Sequence, residues 1–335
     1  MSSVFDEKYD IRQARYDEID EIMQFIDTHW KKGHIMATNR MLFEYEYVVN
    51  GELNFYIAKN KETNLIIGII GYLFASLNSE KLDIWGSIWK IRNDVKTPPF
   101  LGFELLKRMV EHNNARNYIV VGSNPNTATP ILKTLWSYKD NTMKHYYRLS
   151  ERKEYKFSKI VKKIKPVKDE TIPQEYLKEI NSFDELEKIF NFSTIEDKVP
   201  FKDKWYYRHR FFEHPVYNYK IYSSTDLFII TREQSVKDIK ILRIVDLAGN
   251  LNKISNLFNF FEDLSKEYEY IDFYNLGLED ASLKKAGFLN KNDTPENIIP
   301  NYFSPFVQEN VNIHVAYKDN KCLFFKADSD QDRPN

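Results

Sequence analysis

The side chains and backbone groups in this chain that could do chemistry fall in three places. The first is a short polar loop, Arg92-Asn93-Asp94-Val95-Lys96-Thr97-Pro98-Pro99, running into an abrupt helix start at Phe100-Leu101-Gly102-Phe103. A helix start carries partial positive charge and unpaired backbone N–H groups, so it suits a diphosphate. Arg92 or Lys96 adds charge there, whereas Pro98 and Pro99 have no N–H to give. The second is His34, in the break Lys31-Lys32-Gly33-His34, whose ordinary pKa of about 6.5 lets it accept a proton from an amine. A surface histidine at a helix break is the plainer alternative. Asp83, at the head of an aromatic strand, is a second candidate base or a strand-end carboxylate. The third place is in the second half: Arg210 and His214 within Trp205–Pro215, Asp246 at a strand end, then Asn275, Asn301, Tyr302 and Phe303. Arginines match phosphate geometry, rings stack on a base and asparagine pairs with an imide edge, so this set could hold a nucleotide-linked sugar. Packing between two halves of the chain would use the same residues.

The elements around these groups follow from hydrophobic period. Leu82–Ile91 alternates as a buried strand, Phe100–Val110 has a helical stripe and Tyr118–Gly122 is a second strand, a βαβ-like unit. Before it, the pattern predicts a strand at Tyr9–Ala14, helices from Asp17 to Trp30 and from Asn39 to Val48, and strands at Phe55–Lys59 and Leu65–Ser76. After it come a helix over Thr127–Trp136 and a strand at Lys144–Leu149, which closes the first half. The second half repeats the order more weakly, with Ile239–Leu247 and Tyr270–Tyr274 standing where Trp85–Ile91 and Tyr118–Gly122 stand in the first. Residues 151–182 are lysine-rich with little apolar period, which predicts a solvated connector or, alternatively, an arm that contacts phosphate. Residues 329–335 are polar and predict a frayed tail. The domain expectation is 1–150, a connector 151–182, 183–328 and a tail 329–335.

The order β-α-α-β-β-β-α-β-α-β resembles the GNAT acyltransferase superfamily. The resemblance implies an α+β fold of two GNAT-like lobes, each a mixed, mostly antiparallel sheet flanked by helices. It implies that the first lobe binds acyl-coenzyme A, with Trp89, Ile91, Arg92, Lys96, Thr97, Phe100, Leu101, Gly102 and Phe103 around the diphosphate and pantetheine, and Asn124 and Asn126 nearby. The family loop Gln/Arg-x-x-Gly-x-Gly/Ala is incomplete here; Gly102 is its remaining glycine. By the same resemblance Trp30, His34, Arg40 and Tyr47 face the acceptor, and Tyr138 either protonates the sulfur or caps the core. Trp30…His34, Trp89 with Pro99–Gly102, His145-Tyr146-Tyr147, Arg210–Pro215, Arg243–Asp246 and Pro300–Phe303 together resemble tandem-GNAT proteins that N-acylate nucleotide-linked amino sugars for surface polysaccharides such as O-antigen and capsule. The nearest type acylates dTDP-3-amino-3,6-dideoxy-galactose from 3-hydroxybutyryl-coenzyme A.

Totals narrow the class. The 335 residues suit about two domains. Hydrophobic residues make up 42% and charged residues 29% of the chain, ordinary values for a globular protein. A net charge of −1 provides no overall field for nucleic acid or an anionic membrane. One cysteine, Cys322, excludes an internal disulfide and fits a reducing compartment. No run reaches the ~20 apolar residues of a membrane helix. Met1–Glu7 has no basic or apolar leader, so the expected location is cytoplasmic. No zinc spacing, Walker loop or nucleophile elbow occurs, and no metal is expected. The expected partners are acyl-coenzyme A and a nucleotide-linked amino sugar. A tRNA-dependent aminoacyltransferase of the peptidoglycan type and a non-catalytic GNAT-like binding protein remain as alternatives.

Overall fold

A computed structural model describes residues 4–236, 239–303, 306–319 and 321–333. Met1, Ser2, Ser3, Pro334 and Asn335 of the two expected termini lie outside the described residues. The first half forms β1 (Tyr9–Gln13), α1 (Ile19–Phe25), α2 (Arg40–Tyr47), β2 (Phe55–Asn60), β3 (Ile66–Phe74), β4 (Asp83–Ile91), α3 (Leu101–Asn113), β5 (Asn117–Val121), α4 (Ala128–Trp136), β6 (Lys139–Thr142) and β7 (Lys144–Leu149). The second half forms β8 (Lys178–Ile180), α5 (Phe183–Ile189), α6 (Lys204–Tyr207), β9 (Lys220–Ser223), β10 (Leu227–Val236), β11 (Ile239–Gly249), α7 (Phe258–Ser265), β12 (Tyr270–Leu276), α8 (Asp280–Lys285), β13 (Leu289–Asn290), β14 (His314–Tyr317) and β15 (Phe324–Phe325). Among the described residues no helix is long and apolar enough to cross a membrane.

Two mixed sheets result, each with one parallel pair among the described residues in a mostly antiparallel order. The first is β1-β2-β3-β4-β5-β14-β6, with β4 and β5 parallel; the second is β8-β9-β10-β11-β12-β7-β13, with β11 and β12 parallel and β15 added to β12. The α+β architecture is the expected one. The expected boundary at residue 150 divides the chain but not the sheets. Strand β7, from the first half, lies between β12 and β13 of the second sheet, and β14, from the second half, lies between β5 and β6 of the first. Only Met143 separates β6 in one sheet from β7 in the other, and its side chain is buried in the core the two sheets share. The connector is also less solvated than its composition implies. Glu269 accepts from the backbones of Lys156, Phe157 and Ser158, and β8 joins the second sheet.

The exchanged strand β7 is fixed by charge as well as by its ladder. Arg243 on β11 grips Asp272 on β12 through two bonds of 2.9 and 2.7 Å, and His145 on β7 sits 3.1 Å from the same carboxylate. His145 also stacks on Tyr274 at 3.9 Å. All of these groups are buried, so each depends on the others for its solvation. The Asp272 carboxyl would be raised by burial, but Arg243 and His145 hold it below the usual carboxylate range. Removing it leaves the buried Arg243 guanidinium without a counter-charge, held only by the Asn301 and Pro300 carbonyls. Asp272→Ala is expected to cost roughly 3–5 kcal/mol in urea unfolding, and Arg243→Met with Asp272→Leu to recover much of that loss.

Candidate functional site

The site begins where β4 leaves β5. The two pair only at Asp83↔Asn117, Ile84↔Tyr118 and Trp85↔Ile119, and beyond Trp85 they part. The cause is visible on the other edge of β4. Ile70 faces Trp89 and Tyr72 faces Gly86, so Ser87 and Ile88 together oppose Gly71. That extra residue is a bulge, which bends the strand and increases its twist. Past it the ladder with β3 resumes, and Arg92 N donates to Ile67 O. Because strand amides alternate in direction, the N–H groups of Trp89 and Ile91 turn the other way, into the gap.

Helix α3 starts beside this gap. Phe100 caps it in the left-handed region, with φ 65° and no side-chain cap bond. The first amides of a helix have no partner within it. Leu101 N reaches Pro98 O only at 3.4 Å. Gly102 brings the helix close to β4, since a Cβ there would lie 3.2 Å from Ile91 Cγ1 and 3.4 Å from Trp89 Nε1.

The corresponding place in the second lobe is closed. β11 and β12 pair at Leu242–Ile244 and then part, but β15 bonds along Asn275 and Leu276, and Ala327 N donates to Val245 O at 2.9 Å. The start of α7 continues from a 3-10 turn whose bonds, Lys253 N to Asn250 O and Leu257 N to Ile254 O, take up amides. A cavity of about 490 Å³ remains beside Leu247–Asn252, Gly277–Glu279 and Lys321–Leu323.

The expected cofactor residues are gathered at one end of the first sheet, with differing freedom. Trp89 and Ile91 are half-buried against the core, Leu101 is buried, and Phe103 packs on Trp136 at 5.5 Å. Phe100 is exposed, as is Lys96, with half-buried Thr97 beside it. Arg92 departs from expectation: Asp94 holds it through two bonds of 3.0 and 2.7 Å, so its fork is already used. Asn124 Oδ1 accepts from Asn126 N at 2.9 Å, which spends it on a local turn.

The three expected catalytic residues do not come together. Asp83 is fully buried at the closed end of the strand pair, where Arg116 (3.0 and 2.5 Å), Asn117 (2.9 Å) and Phe201 N (2.8 Å) occupy its oxygens. It is a clasp between the lobes, not a base beside the gap. Tyr138 is buried and donates to Tyr118 O at 2.7 Å; burial pushes its hydroxyl well above the usual range, which makes it a poor acid. His34 does lie near the gap, buried, with its ring 4.7 Å from Trp30. Its Nδ1 accepts from Met36 N at 3.2 Å. The neutral ring therefore carries its proton on Nε2 and has no free lone pair for an amine proton. Burial first, then Arg333 and Lys31, push its pKa down to about 4.

Of the expected acceptor residues, Arg210 and His214 meet in one interlobe chamber, Tyr47 lies next to it beside Ser87 and Arg333, and Arg40 is elsewhere. Arg40 is on the outer surface with Asp20 and Glu44. Tyr47 OH is 2.5 Å from Ser87 Oγ at the bulge. Arg210 and His214 line a cavity of about 40 Å³ with Tyr45, Glu46, Trp85 and Tyr206. Asp246 is committed to Lys202 at 2.7 Å, which Asp328 also binds at 2.5 Å; burial raises its carboxyl. Asn301, Tyr302 and Phe303 line a second cavity of about 50 Å³ with Arg243, Asp332 and Arg333. Asn275 lies on β12, buried.

Residues the pattern passed over complete the chamber. Glu46 binds Arg333 from the tail; burial would raise its carboxyl, but Arg333 and other nearby groups hold it at about 2. Ser329 Oγ donates to Gly86 O at 2.9 Å, and Ser87 Oγ to Asp330 at 3.0 Å. Ser329, Asp332 and Arg333 are buried, so residues 329–333 are packed and not frayed. Several buried polar atoms here have no hydrogen-bond partner, among them Glu46 Oε1, His214 Nε2, Arg210 Nη1, Asp332 Oδ1 and Trp85 Nε1. Such atoms are costly unless something polar meets them.

The His34 geometry gives a test. An unfolded chain protonates His34 near pH 6.5 and the folded chain only near 4. Folding stability is therefore full above the first value and falls as pH drops towards the second. His34→Asn keeps a capping oxygen and loses the titration. Urea midpoints measured at pH 7 and pH 5 are expected to differ less in the variant than in the parent.

No family model matches the chain, and no curated protein matches it in sequence. Solved structures do resemble it. A GCN5-related N-acetyltransferase from Anabaena variabilis ATCC 29413 aligns over 93% of this chain and 72% of its own, at 9% identity and a TM-score of 0.55. A conserved protein of unknown function from Enterococcus faecalis V583 aligns over 84% and 70%, at 10% identity and 0.55. A GCN5-related N-acetyltransferase from Kribbella flavida aligns over 82% and 66%, at 10% identity and 0.50. The chain shares with these structures a GNAT-type α+β fold.

Proposed function

We propose that this protein is an acyl-CoA-dependent N-acyltransferase, with the donor in the first lobe (1–150) and the acceptor between it and the second (183–328). The observation that carries this is the bulged strand β4, which leaves β5 after Trp85 and turns the Trp89 and Ile91 amides towards a gap beside the open start of α3. The donors fit the group. Strand amides suit the amides of pantetheine, and the α3 start with Gly102 and Phe103 suits its diphosphate. The second lobe has a bulge of its own on β11, at Val245, and the same parting of strands, but β15 and Ala327 fill the opening and a 3-10 turn takes up amides before α7, which supports the first as the donor lobe.

Bound acyl-coenzyme A supplies a thioester, whose carbonyl oxygen gains charge as an amine attacks. The Trp89–Ile91 amides would hold that oxygen and fix the carbonyl for attack. The chamber lined by Arg210 and His214 would orient the amine, and holding both reactants at once supplies much of the acceleration. The acceptor this reading favours is a nucleotide-linked amino-deoxy sugar, dTDP-linked, on a cytoplasmic route to surface polysaccharide. Its support is chemical: Arg333 Nε and the Asn301 amide are buried donors without hydrogen-bond partners beside Tyr302 and Phe303, and Arg210 Nη1 is another in the chamber with His214.

Calorimetric titration with coenzyme A tests the donor lobe. Binding is expected, and Gly102→Asp, which sets a carboxylate at the α3 start, is expected to weaken it tenfold or more, about 1.4 kcal/mol. Asn259→Asp, the second residue of α7 as Gly102 is of α3, is expected to leave affinity unchanged. No binding at millimolar coenzyme A would exclude the reading. A panel of dTDP-amino sugars with thiol-release detection tests the acceptor, and the expected outcome is turnover with an amino-deoxy sugar and none with its hydroxyl analogue.

A further inference from the structure

The transfer proposed above releases one proton from the attacking nitrogen, and none of the groups considered so far can take it. Asp83 is enclosed at the closed end of the strand pair, the acceptor nitrogen of His34 is held by Met36 N, and the Glu46 carboxylate is paired with Arg333 and held at about 2. A different carboxylate stands at the point where the strands part.

Residues 329–331 bridge the inner end of the gap. Ser329 bonds to Gly86 O on β4, and the Gln331 side chain fills the space beside Gly122, just past β5, where a Cβ would come within 2.1 Å of it. Gly122 has φ 77°, so both its conformation and its neighbour call for glycine. Ser329 itself is left-handed at φ 58°, an uncommon state for a residue with a Cβ. Between them, Asp330 is set against the bulge. Its Oδ2 accepts from Ser87 Oγ at 3.0 Å and its Oδ1 from Gln331 Nε2 at 3.1 Å, and Arg333 Nη1 lies 3.7 Å from Oδ2, an ion pair beyond hydrogen-bond reach, whereas Arg333 bonds directly to Glu46.

The proton directions along this chain of bonds follow from counting. Ser87 has one hydroxyl proton, and Asp330, an acceptor, takes it. Tyr47 OH, 2.5 Å from Ser87 Oγ, must then donate to it, and Arg333 Nη2 donates to Tyr47 OH at 3.3 Å. Every donor points towards Asp330, which fixes the carboxylate in orientation. Each of its oxygens still has a lone pair to spare. The side chain is 18% exposed, so a substrate group can reach it. Ser87 is two residues from Trp89, whose amide faces the thioester position.

We propose that Asp330, carried in from the far end of the chain, is the catalytic proton acceptor for the acceptor amine, with Ser87 and Tyr47 as positioning residues. This rests on the acyltransferase reading. The nitrogen forms its bond to the thioester carbon, the C–S bond breaks, the N–H proton passes to the Asp330 carboxylate, and Asp330 then gives that proton up to solvent while the leaving thiolate takes one from solvent to become the free thiol. The products are an amide and coenzyme A, and no further reactant is needed.

The test uses the full chain, acetyl-CoA as donor, the dTDP-amino sugar panel as acceptors, thiol release as readout and coenzyme A titration as a control for folding. Asp330→Asn is expected to lower kcat about 10²- to 10⁴-fold, the usual worth of a general base, with coenzyme A affinity within threefold of the parent. Asp330→Glu should restore part of the loss, and Ser87→Ala should lower kcat with KM unchanged. Turnover by Asp330→Asn at half the parental rate or more would overturn the assignment and leave the acyltransferase reading intact. A faster variant would do the same, identifying the segment as an obstruction. A parallel loss of coenzyme A affinity would also overturn it, since the role would then be structural. No thiol release by the parent with any acceptor would overturn the acyltransferase reading and this assignment with it.

Discussion

A strand that parts from its neighbour leaves a row of backbone donors and acceptors that something must satisfy, and this molecule is arranged around two such rows. In each sheet the parallel pair is joined over only three residues before it opens. The second lobe satisfies its opening internally, with Phe324–Phe325 laid along β12 and Ala327 bonded to Val245. The first lobe leaves the amides of the outer part of β4 turned to a gap and bridges only the inner end, with Ser329 and Gln331. One duplicated architecture thus yields a closed lobe and an open one. The difference is made by a short run of residues at the end of the chain.

Those residues are held by charge in a low-dielectric setting. Arg333 binds Glu46 on α2, Lys202 binds Asp328 and Asp246, and Arg232 binds Asp332, all with at least one partner buried. Pairs of this kind add little net stability over apolar packing, but breaking one is costly because the survivor stays buried and charged. Their effect is to set position. They hold the tail in one register against both lobes, and they concentrate polar atoms in the interlobe chamber.

Much of the first lobe was legible in the sequence because local pattern determined it. The alternation of β4, the abrupt start at Phe100-Leu101-Gly102 and the following apolar strand fix the unit that forms the gap. The exchange of β7 and β14 was not legible. Lys144–Leu149 has the pattern of a buried strand whichever sheet it joins, and the choice depends on partners such as Asp272 and Tyr274, far away in the chain. Asp83 looked like a base because residue type says nothing of partners, and Arg116 claims it. The tail looked frayed because Asp328-Ser329-Asp330-Gln331-Asp332-Arg333 has no apolar period. Its alternating acids were the one signal available, and their meaning depends on basic and hydroxyl groups distant in sequence. The bulge at Ser87–Ile88 left no trace, since it is a property of register.

The exchange of strands bears on how the protein is made. A ribosome releases β1 to β6 long before His314 exists, so the growing first lobe must wait with the outer edge of β5 unpaired until β14 has been synthesised. Exposed strand edges pair readily with other chains, and domains ordinarily fold in the order they emerge. Here neither lobe can finish first. Synthesis of residues 314–325 completes both sheets, which ties the maturation of the first lobe to a segment of the second half.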